Sequence, residues 1–164
     1  MDRDEFTTFY TSTFHRLVGQ LYAMTGDHLE AQDAVQEAFV RAWARRTKFD
    51  RDGTPEGWIR VTAWRIAVTR WRRAKDGRRL MELAASTEPV AGPTPDRVAF
   101  AEALRKLPAE QRRALVLYHL CDLTIEQIGT ETGAPAGTVK ARLARGRAAV
   151  TPLLSETAEP LITR

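Results

Sequence analysis

The chain has 164 residues, enough for one ordinary domain or for two small helical ones. Its 43% hydrophobic and 28% charged residues exclude wholesale disorder, and its single cysteine, Cys121, excludes an internal disulfide and favours a reducing compartment. No apolar run approaches the ~20 residues that cross a bilayer, so we expect a cytoplasmic protein without membrane insertion.

The net charge of +4 is concentrated in two stretches of the chain. The first stretch contains a single acid, Asp76, among eight cations: Arg60, Arg65, Arg70, Arg72, Arg73, Lys75, Arg78 and Arg79. The second contains no acid and four cations: Lys140, Arg142, Arg145 and Arg147. Ordinary solvated helix faces interleave acids more evenly, whereas clustered cations attract a polyanion. The charge pattern therefore favours nucleic-acid binding.

The first two predicted elements are helices. Apolar residues recur at helical spacing from Phe6 to Tyr22, until Gly26 ends the pattern. The next helix starts at Asp27, which has capping-box spacing to Glu30. Its predicted buried stripe consists of Ala31, Ala34, Val35, Ala38, Phe39, Ala42 and Trp43.

A third helix is predicted after the loop 46–53, with Thr54 as its N-cap and Pro55 in its first turn. It continues from Trp58 into the first basic stretch and has two apolar stripes. The core stripe contains Trp58, Ile59, Ala63, Ile66 and Ala67. The second contains Val61, Trp64, Val68 and Trp71, and it is either additional core or a contact surface.

Residues 80–96 are rich in Ala, Ser, Thr and Pro and lack a sustained apolar period, which is typical of a flexible linker. Fully extended, this linker reaches ~55 Å. We therefore predict an all-α protein of two small helical domains, residues 1–79 and 97–155, followed by a tail at 156–164. No strand pattern is present.

The second domain is predicted to contain a helix-turn-helix. A helix ends near Leu107 and Pro108 opens the next, whose apolar residues are Leu115, Leu117, Tyr118 and Cys121. Thr124 and Gln127 then have capping-box spacing, with Ile125 and Ile128 predicted to face inward. Gly133 lies in a short turn, and the last helix covers residues 137–150.

At about 100° per residue, the last helix has distinct inner and outer faces. The inner face contains Val139, Leu143, Gly146 and Val150. The outer face contains Lys140, Ala141, Ala144 and Arg145, with Arg142 and Arg147 on its flanks. Lys and Arg can donate to guanine, and small side chains let the backbone approach a groove, so this face is predicted to read duplex DNA.

These motifs resemble one known family. The stretch from Leu107 to Arg147, ending Gly-Thr-Val-Lys-Ala-Arg-Leu-Ala-Arg-Gly-Arg, is similar to region 4 of the extracytoplasmic-function (ECF) sigma factors of bacterial RNA polymerase. The stretch from Gly26 to Phe39 is similar to regions 2.1 and 2.2 of the same sigma-70 family. The resemblance implies a factor that directs promoter-specific initiation, without catalysis and without a cofactor or metal.

The resemblance also implies partners and site residues. The β′ clamp helices of core polymerase are expected at Asp33, Gln36, Glu37 and Arg41, with the β flap as a second polymerase contact. The −35 set is Thr138, Lys140, Ala141, Arg142, Ala144, Arg145 and Arg147. The −10 set is Lys48, Phe49, Arg60, Trp64, Arg65, Trp71, Arg72, Arg73 and Lys75. An anti-sigma protein is a further implied partner.

The chain departs from the family pattern at several positions. Trp64-Arg65 stands where Arg-Asn is common, and Thr69 stands where Asp is usual. Pro135 replaces a Ser that often caps the last helix, and Ala141 replaces another Ser. The −35 sequence that the protein reads does not follow from the family.

Two other functions fit parts of the sequence. A stand-alone helix-turn-helix regulator would use only the second domain, and such regulators usually dimerise on palindromes. An enzyme is not favoured, because His15, His28 and His119 are scattered and Cys121 lies on an apolar stripe.

Overall fold

The computed structural model describes residues 1–49, 54–75 and 92–162, and these form seven α-helices and one short 3₁₀ turn. The helices are α1 Arg3–Thr25, α2 His28–Arg45, α3 Pro55–Lys75, α4 Pro95–Arg105, α5 Ala109–His119, α6 Ile125–Thr132 and α7 Ala136–Ile162, with the 3₁₀ turn at Arg46–Lys48. The described ranges contain no strand, which confirms the all-α prediction. None of their helices is both long enough and apolar enough to span a bilayer.

The chain divides into two compact units. The first consists of Met1–Leu21 and Asp27–Pro93, and the second of Tyr22–Gly26 and Thr94–Arg164. Residues 80–91 of the predicted linker lie outside the described residues, as do Arg78 and Arg79. α7 continues to Ile162, past residue 155, where the second domain was predicted to end.

In the first unit, α2 packs on α3 through small side chains. The buried positions of α2 include Ala31, Ala34, Ala38 and Ala42, and alanines let two helix backbones approach closely. α3 contributes Ile59, Ala63, Ile66 and Ala67 to the same core. Phe6, Tyr10 and Phe14 of α1 all contact the Phe39 ring, with centroids 4.9–6.2 Å apart. Three helices thus enclose one core.

The prediction that Trp43 belongs to the buried stripe of α2 is wrong. Trp43 is 38% exposed, and the Arg46 guanidinium lies 3.9 Å from its ring centroid. One edge of the indole contacts Phe6, at 5.1 Å between centroids. Trp43 therefore borders the core, and the cation of the following turn covers part of its ring.

In the second unit, α7 packs against α4, α5 and α6. The core residues from those three helices include Leu104, Leu115, Leu117 and Ile128. α4 starts at Pro95, inside the predicted linker, because Thr94 caps it by accepting the Arg97 N–H at 3.4 Å. Threonine at the N-cap followed by proline at the first helical position is a helix start signal. It was assigned to the linker because the surrounding residues have a linker composition.

Candidate nucleic-acid interface

The helix-turn-helix of the second unit is fixed at both ends of α6. Thr124 accepts the Gln127 N–H at 3.2 Å and the Gln127 side chain accepts the Thr124 N–H at 2.9 Å, so the predicted capping box is confirmed. At the other end Gly133 has φ +69°, a left-handed conformation that favours glycine. The backbone N–H groups of Gly133 and Ala134 both donate to Gly129 O. The turn is therefore determined by local hydrogen bonds.

Gly129 lies within α6 and faces the segment of chain that folds back after the helix ends. A Cβ at this position would lie 2.8 Å from Ala134 O, a backbone atom. Real side chains essentially never show a contact this short, so only glycine fits without a backbone shift. The requirement at Gly129 could not be seen in the sequence, because the atom that creates it belongs to a residue beyond the end of the helix.

The inner face of α7 is buried as its periodicity predicts. Val139, Leu143, Gly146 and Val150 are all buried. A Cβ at Gly146 would lie 2.9 Å from Leu115 Cδ1, so the glycine lets α7 approach α5 closely. This packing fixes the rotation of α7 about its own axis and thereby determines which residues face solvent.

The outer face of α7 carries two cations that have no ion-pair partner among the described residues. Thr138, Lys140, Ala144 and Arg145 are exposed, and Ala141 is half-buried. Within the described part of the chain, no acid lies within ion-pair distance of Lys140 or Arg145. The small side chains between them leave the backbone accessible to a groove.

The two flanks of α7 differ in their contacts. Arg142 donates from Nη2 to Glu110 Oε2 at 3.1 Å, which partly neutralises that flank. Arg147 donates from Nε to His119 Nε2 at 3.3 Å and lies over the Tyr118 ring, with 5.1 Å from Cζ to the centroid. Tyr118 and His119 were not predicted at this surface, because they belong to α5 and approach α7 only in the folded unit.

α3 presents the cations of the first unit. Arg65, Arg72, Arg73 and Lys75 are exposed, as is Lys48 before the helix. The second apolar stripe of α3 is not core throughout. Its members Val61, Trp64 and Val68 are half-buried, whereas Trp71 is 62% exposed, with Lys75 Nζ 5.2 Å from its ring centroid. An exposed indole beside four cations can stack on an unpaired base while the cations attract the backbone.

Two residues expected to contact DNA are buried. Arg60 is 7% exposed and Phe49 is 6% exposed. The Phe49 ring packs edge-on against Trp58, with centroids 5.5 Å apart. Because neither side chain presents a surface to a ligand in this conformation, we omit both from the DNA-contacting set. The adjoining part of the predicted loop, residues 50–53, lies outside the described residues.

The polar face of α2 is linked to α3 by arginine. Arg70 of α3 donates from Nη1 to Glu30 Oε1 at 3.2 Å and from Nη2 to Glu37. Arg41 donates to the second oxygen of Glu37. Burial raises the pKa of Glu30 above its usual value, although the Arg70 charge opposes this shift. The α2 face is therefore nearly charge-neutral around Glu37.

The other residues expected at the polymerase-binding face lie along the same helix. Asp33 and Arg41 are exposed, and Gln36 is half-buried. Gln36 also borders an open apolar groove of about 360 Å³, whose other lining residues are Phe6, Tyr10, Phe39, Val40 and Trp43. α2 thus presents charged groups and apolar surface side by side.

Family models match both units of the chain. The model of sigma-70 region 2 matches residues 9–76, and the model of sigma-70 region 4 matches residues 97–150. The RNA polymerase sigma-H factor of Pseudomonas aeruginosa is 30% identical over 94% of this chain and 91% of that protein. The ECF RNA polymerase sigma factor SigM of Mycobacterium tuberculosis is 33% identical over 85% of this chain and 72% of that protein.

A further relative is the ECF RNA polymerase sigma factor SigW of Bacillus subtilis, 28% identical over 91% of this chain and 88% of that protein. Among solved structures, the sigma factor RpoE bound to the anti-sigma factor NepR, from Bartonella quintana, superposes with a TM-score of 0.74 at 22% identity, covering 98% of this chain and 99% of that one. The structure of CnrH bound to the cytosolic domain of CnrY superposes with a TM-score of 0.69 at 20% identity, covering 94% of this chain and 90% of that one. These two likenesses concern the fold.

Proposed function

The chain belongs to the ECF sigma factors of the sigma-70 family, and we propose that it binds bacterial core RNA polymerase through α2 and promoter DNA through α3 and α7. As a sigma factor it directs promoter-specific transcription initiation. A stand-alone regulator is not favoured, because the family match covers the first unit as well as the helix-turn-helix. We infer that it acts in the cytoplasm, where bacterial DNA is transcribed, and performs no catalysis itself.

The observation that carries the −35 assignment is the free outer face of α7. Lys140 and Arg145 are exposed and unpaired within the described residues, on a helix whose opposite face is buried. Seated in a major groove, these two side chains reach guanine O6 and N7, and Ala141 and Ala144 lie close to thymine methyl groups. Thr138, Arg142 and Arg147 lie where phosphates run beside the helix.

The −10 assignment rests on α3. Promoter opening exposes unpaired bases, which require cations along the backbone and an aromatic surface for stacking. Arg65, Arg72, Arg73 and Lys75 are exposed cations, and Trp71 is more exposed than any other Trp, Tyr or Phe of the described residues. We include Lys48 and the half-buried Trp64 at the edge of this surface. Arg70 is excluded because Glu30 and Glu37 bind its guanidinium.

The polymerase assignment rests on the mixed face of α2, formed by Asp33, Gln36, Glu37 and Arg41. A rigid helix that presents charges of both signs suits a partner helix with a complementary pattern. We propose that this partner is the β′ clamp coiled coil, and that the second unit contacts the β flap. An anti-sigma protein is proposed as a regulatory partner on the strength of family membership.

Run-off transcription tests the proposal directly. Core polymerase alone, core with this chain, and core with a double variant Lys140→Ala, Arg145→Ala are compared on a promoter selected by the wild-type holoenzyme. Each lost base contact costs about 1–3 kcal/mol, or roughly 5- to 150-fold in promoter affinity. Arg97→Ala removes an exposed cation from the first turn of α4 and serves as the matched control.

Two results would contradict the proposal. If the wild-type chain neither binds core polymerase stoichiometrically nor stimulates specific transcripts, the sigma-factor function fails. If the double variant transcribes as well as Arg97→Ala, the chain still acts as a sigma factor but α7 does not read the promoter through Lys140 and Arg145.

A further inference from the structure

Arg147 is held in place by two side chains of another helix. Its Nε donates to His119 Nε2 at 3.3 Å, and its Cζ lies 5.1 Å from the Tyr118 ring centroid. The rings of Tyr118 and His119 contact each other edge-on, with centroids 4.9 Å apart. Accepting through Nε2 requires a neutral imidazole with its proton on Nδ1. One hydrogen bond and one cation–π contact thus restrict the conformation of the Arg147 side chain.

These contacts leave the end of the guanidinium unoccupied. Arginine has five N–H donors, of which four are on Nη1 and Nη2. Within the described ranges no hydrogen bond or ion pair engages those two nitrogens. Two parallel N–H groups match two oxygens of a phosphate, and this bidentate geometry distinguishes arginine from lysine. The side chain is therefore oriented with its phosphate-binding end free.

The position of Arg147 relative to Lys140 supports the same conclusion. The two residues are seven positions apart, which places them within ~20° of each other around the helix and ~10 Å apart along it. Lys140 lies on the outer face of α7 that we assign to the −35 major groove. Arg147 then lies at the edge of that groove, where the sugar-phosphate backbone runs.

Arg142, on the other flank, differs from Arg147 because a carboxylate already binds its guanidinium. Its Nη2 already donates to the carboxylate of Glu110 at 3.1 Å, so a phosphate must compete with an acid of the protein. The partners of Arg147 are an imidazole and a phenol ring, which orient the guanidinium without neutralising it. The two flanks thus have unequal affinity for a phosphate.

We propose that Tyr118 and His119 are positioning residues that hold Arg147 ready to bind one phosphate of the −35 duplex. The proposal rests on the proposed function of α7 and adds a phosphate site built from α5 and α7. Restricting a flexible side chain before binding reduces the entropy lost when the complex forms. Tyr118 and His119 act through Arg147 and do not themselves neutralise phosphate charge.

The test measures promoter binding as a function of salt. Holoenzyme assembled from the full chain and core polymerase is titrated onto a promoter fragment selected by the wild-type holoenzyme. The slope of log K against log salt is negative, and loss of one phosphate contact in Arg147→Ala is expected to make it shallower by about 0.9. Tyr118→Leu and His119→Leu are expected to lower the affinity about two- to fivefold with the slope unchanged.

Conservative variants separate positioning from general structural damage. Tyr118→Phe keeps the ring face and His119→Gln keeps an acceptor, so both are expected to bind like wild type. In an Arg147→Ala background, Tyr118→Leu and His119→Leu are expected to have no further effect on promoter affinity. A purely structural role would instead produce the same loss in both backgrounds.

Each outcome decides the proposal. An unchanged salt slope in Arg147→Ala overturns the phosphate site, and equal losses from Tyr118→Leu and His119→Leu in the two backgrounds overturn the positioning role. Neither result affects the sigma-factor function, which core-polymerase binding and run-off transcription by the wild-type chain test separately. If the wild-type holoenzyme selects no promoter at all, the proposed function and this inference fail together.

Discussion

Replacing Gly129 by alanine is expected to destabilise the helix-turn-helix. The added Cβ would lie 2.8 Å from the backbone oxygen of Ala134, which cannot rotate away as the tip of a side chain could. Forcing an extra carbon into a packed position costs about 1–3 kcal/mol. Because Ala134 N–H also bonds to Gly129 O at 3.1 Å, relieving the clash strains that hydrogen bond as well.

Gly137→Ala is the matched control for this substitution. Gly137 is also helical, in the first turn of α7, and a Cβ there meets no heavy atom within 4 Å. Alanine is favoured over glycine in a helix by about 0.8–1 kcal/mol, so the control is expected to be stabilised by up to that amount. The propensity gain is similar at both sites. Consequently the difference between the two variants isolates the clash, at about 1–3 kcal/mol.

The assay is amide hydrogen exchange of α5, α6 and α7 in the full chain, which reports the opening free energy of this unit. Tryptophan fluorescence is unsuitable, because all four tryptophans lie between residues 43 and 71. Gly129→Ala is expected to exchange about 5- to 150-fold faster than Gly137→Ala in the most protected amides. Equal protection in the two variants would refute the argument that Ala134 O excludes a side chain.

Three further predictions concern the charged and aromatic surfaces. Glu110→Gln is expected to strengthen promoter binding by the holoenzyme roughly 1.5- to 5-fold, because an exposed ion pair worth ~0.2–1 kcal/mol no longer occupies Arg142; unchanged or weaker binding would contradict this. Trp71→Ala is expected to make the free energy of promoter opening less favourable by about 1–3 kcal/mol per stacked base, whereas Trp71→Phe retains most of the stacking. The fluorescence of 2-aminopurine in the −10 element measures the opening. Equal opening by the two Trp71 variants would count against stacking. Since burial raises the pKa of Glu30, its contribution to stability is present below the usual carboxyl pKa and decreases as the pH rises through the raised value. Glu30→Gln still accepts from Arg70 but cannot ionise, so the unfolding free energy of wild type relative to this variant should fall as the pH rises above the ordinary carboxyl pKa, and a rise there would show the opposite shift.

The helices and their faces could be predicted because they depend on residues close in sequence. Thr124 and Gln127 form the expected capping box, and Val139, Leu143 and Val150 are buried at helical spacing. These features follow from backbone geometry that repeats every few residues. The start of α4 at Pro95 was equally local, but the surrounding linker composition concealed it.

The exposure of several individual side chains could not be predicted, because long-range packing decides it. Phe49 looked like a loop residue available to a base, yet it packs on Trp58 of the following helix. Arg60 belongs to the basic stretch but is buried, whereas Trp43 lies on an apolar stripe but is 38% exposed. Periodicity gives the face on which a residue lies and does not give the distance to the neighbouring helix.

The sequence by itself determined the helical fold, the cap and turn of the helix-turn-helix, and the direction in which Lys140 and Arg145 point. Only the tertiary structure showed that Glu110 forms an ion pair with Arg142, while Tyr118 and His119 contact Arg147. The physical reason is that these contacts join residues 28 or more positions apart in the chain. No local propensity encodes them, and they form only when α5 and α7 pack together.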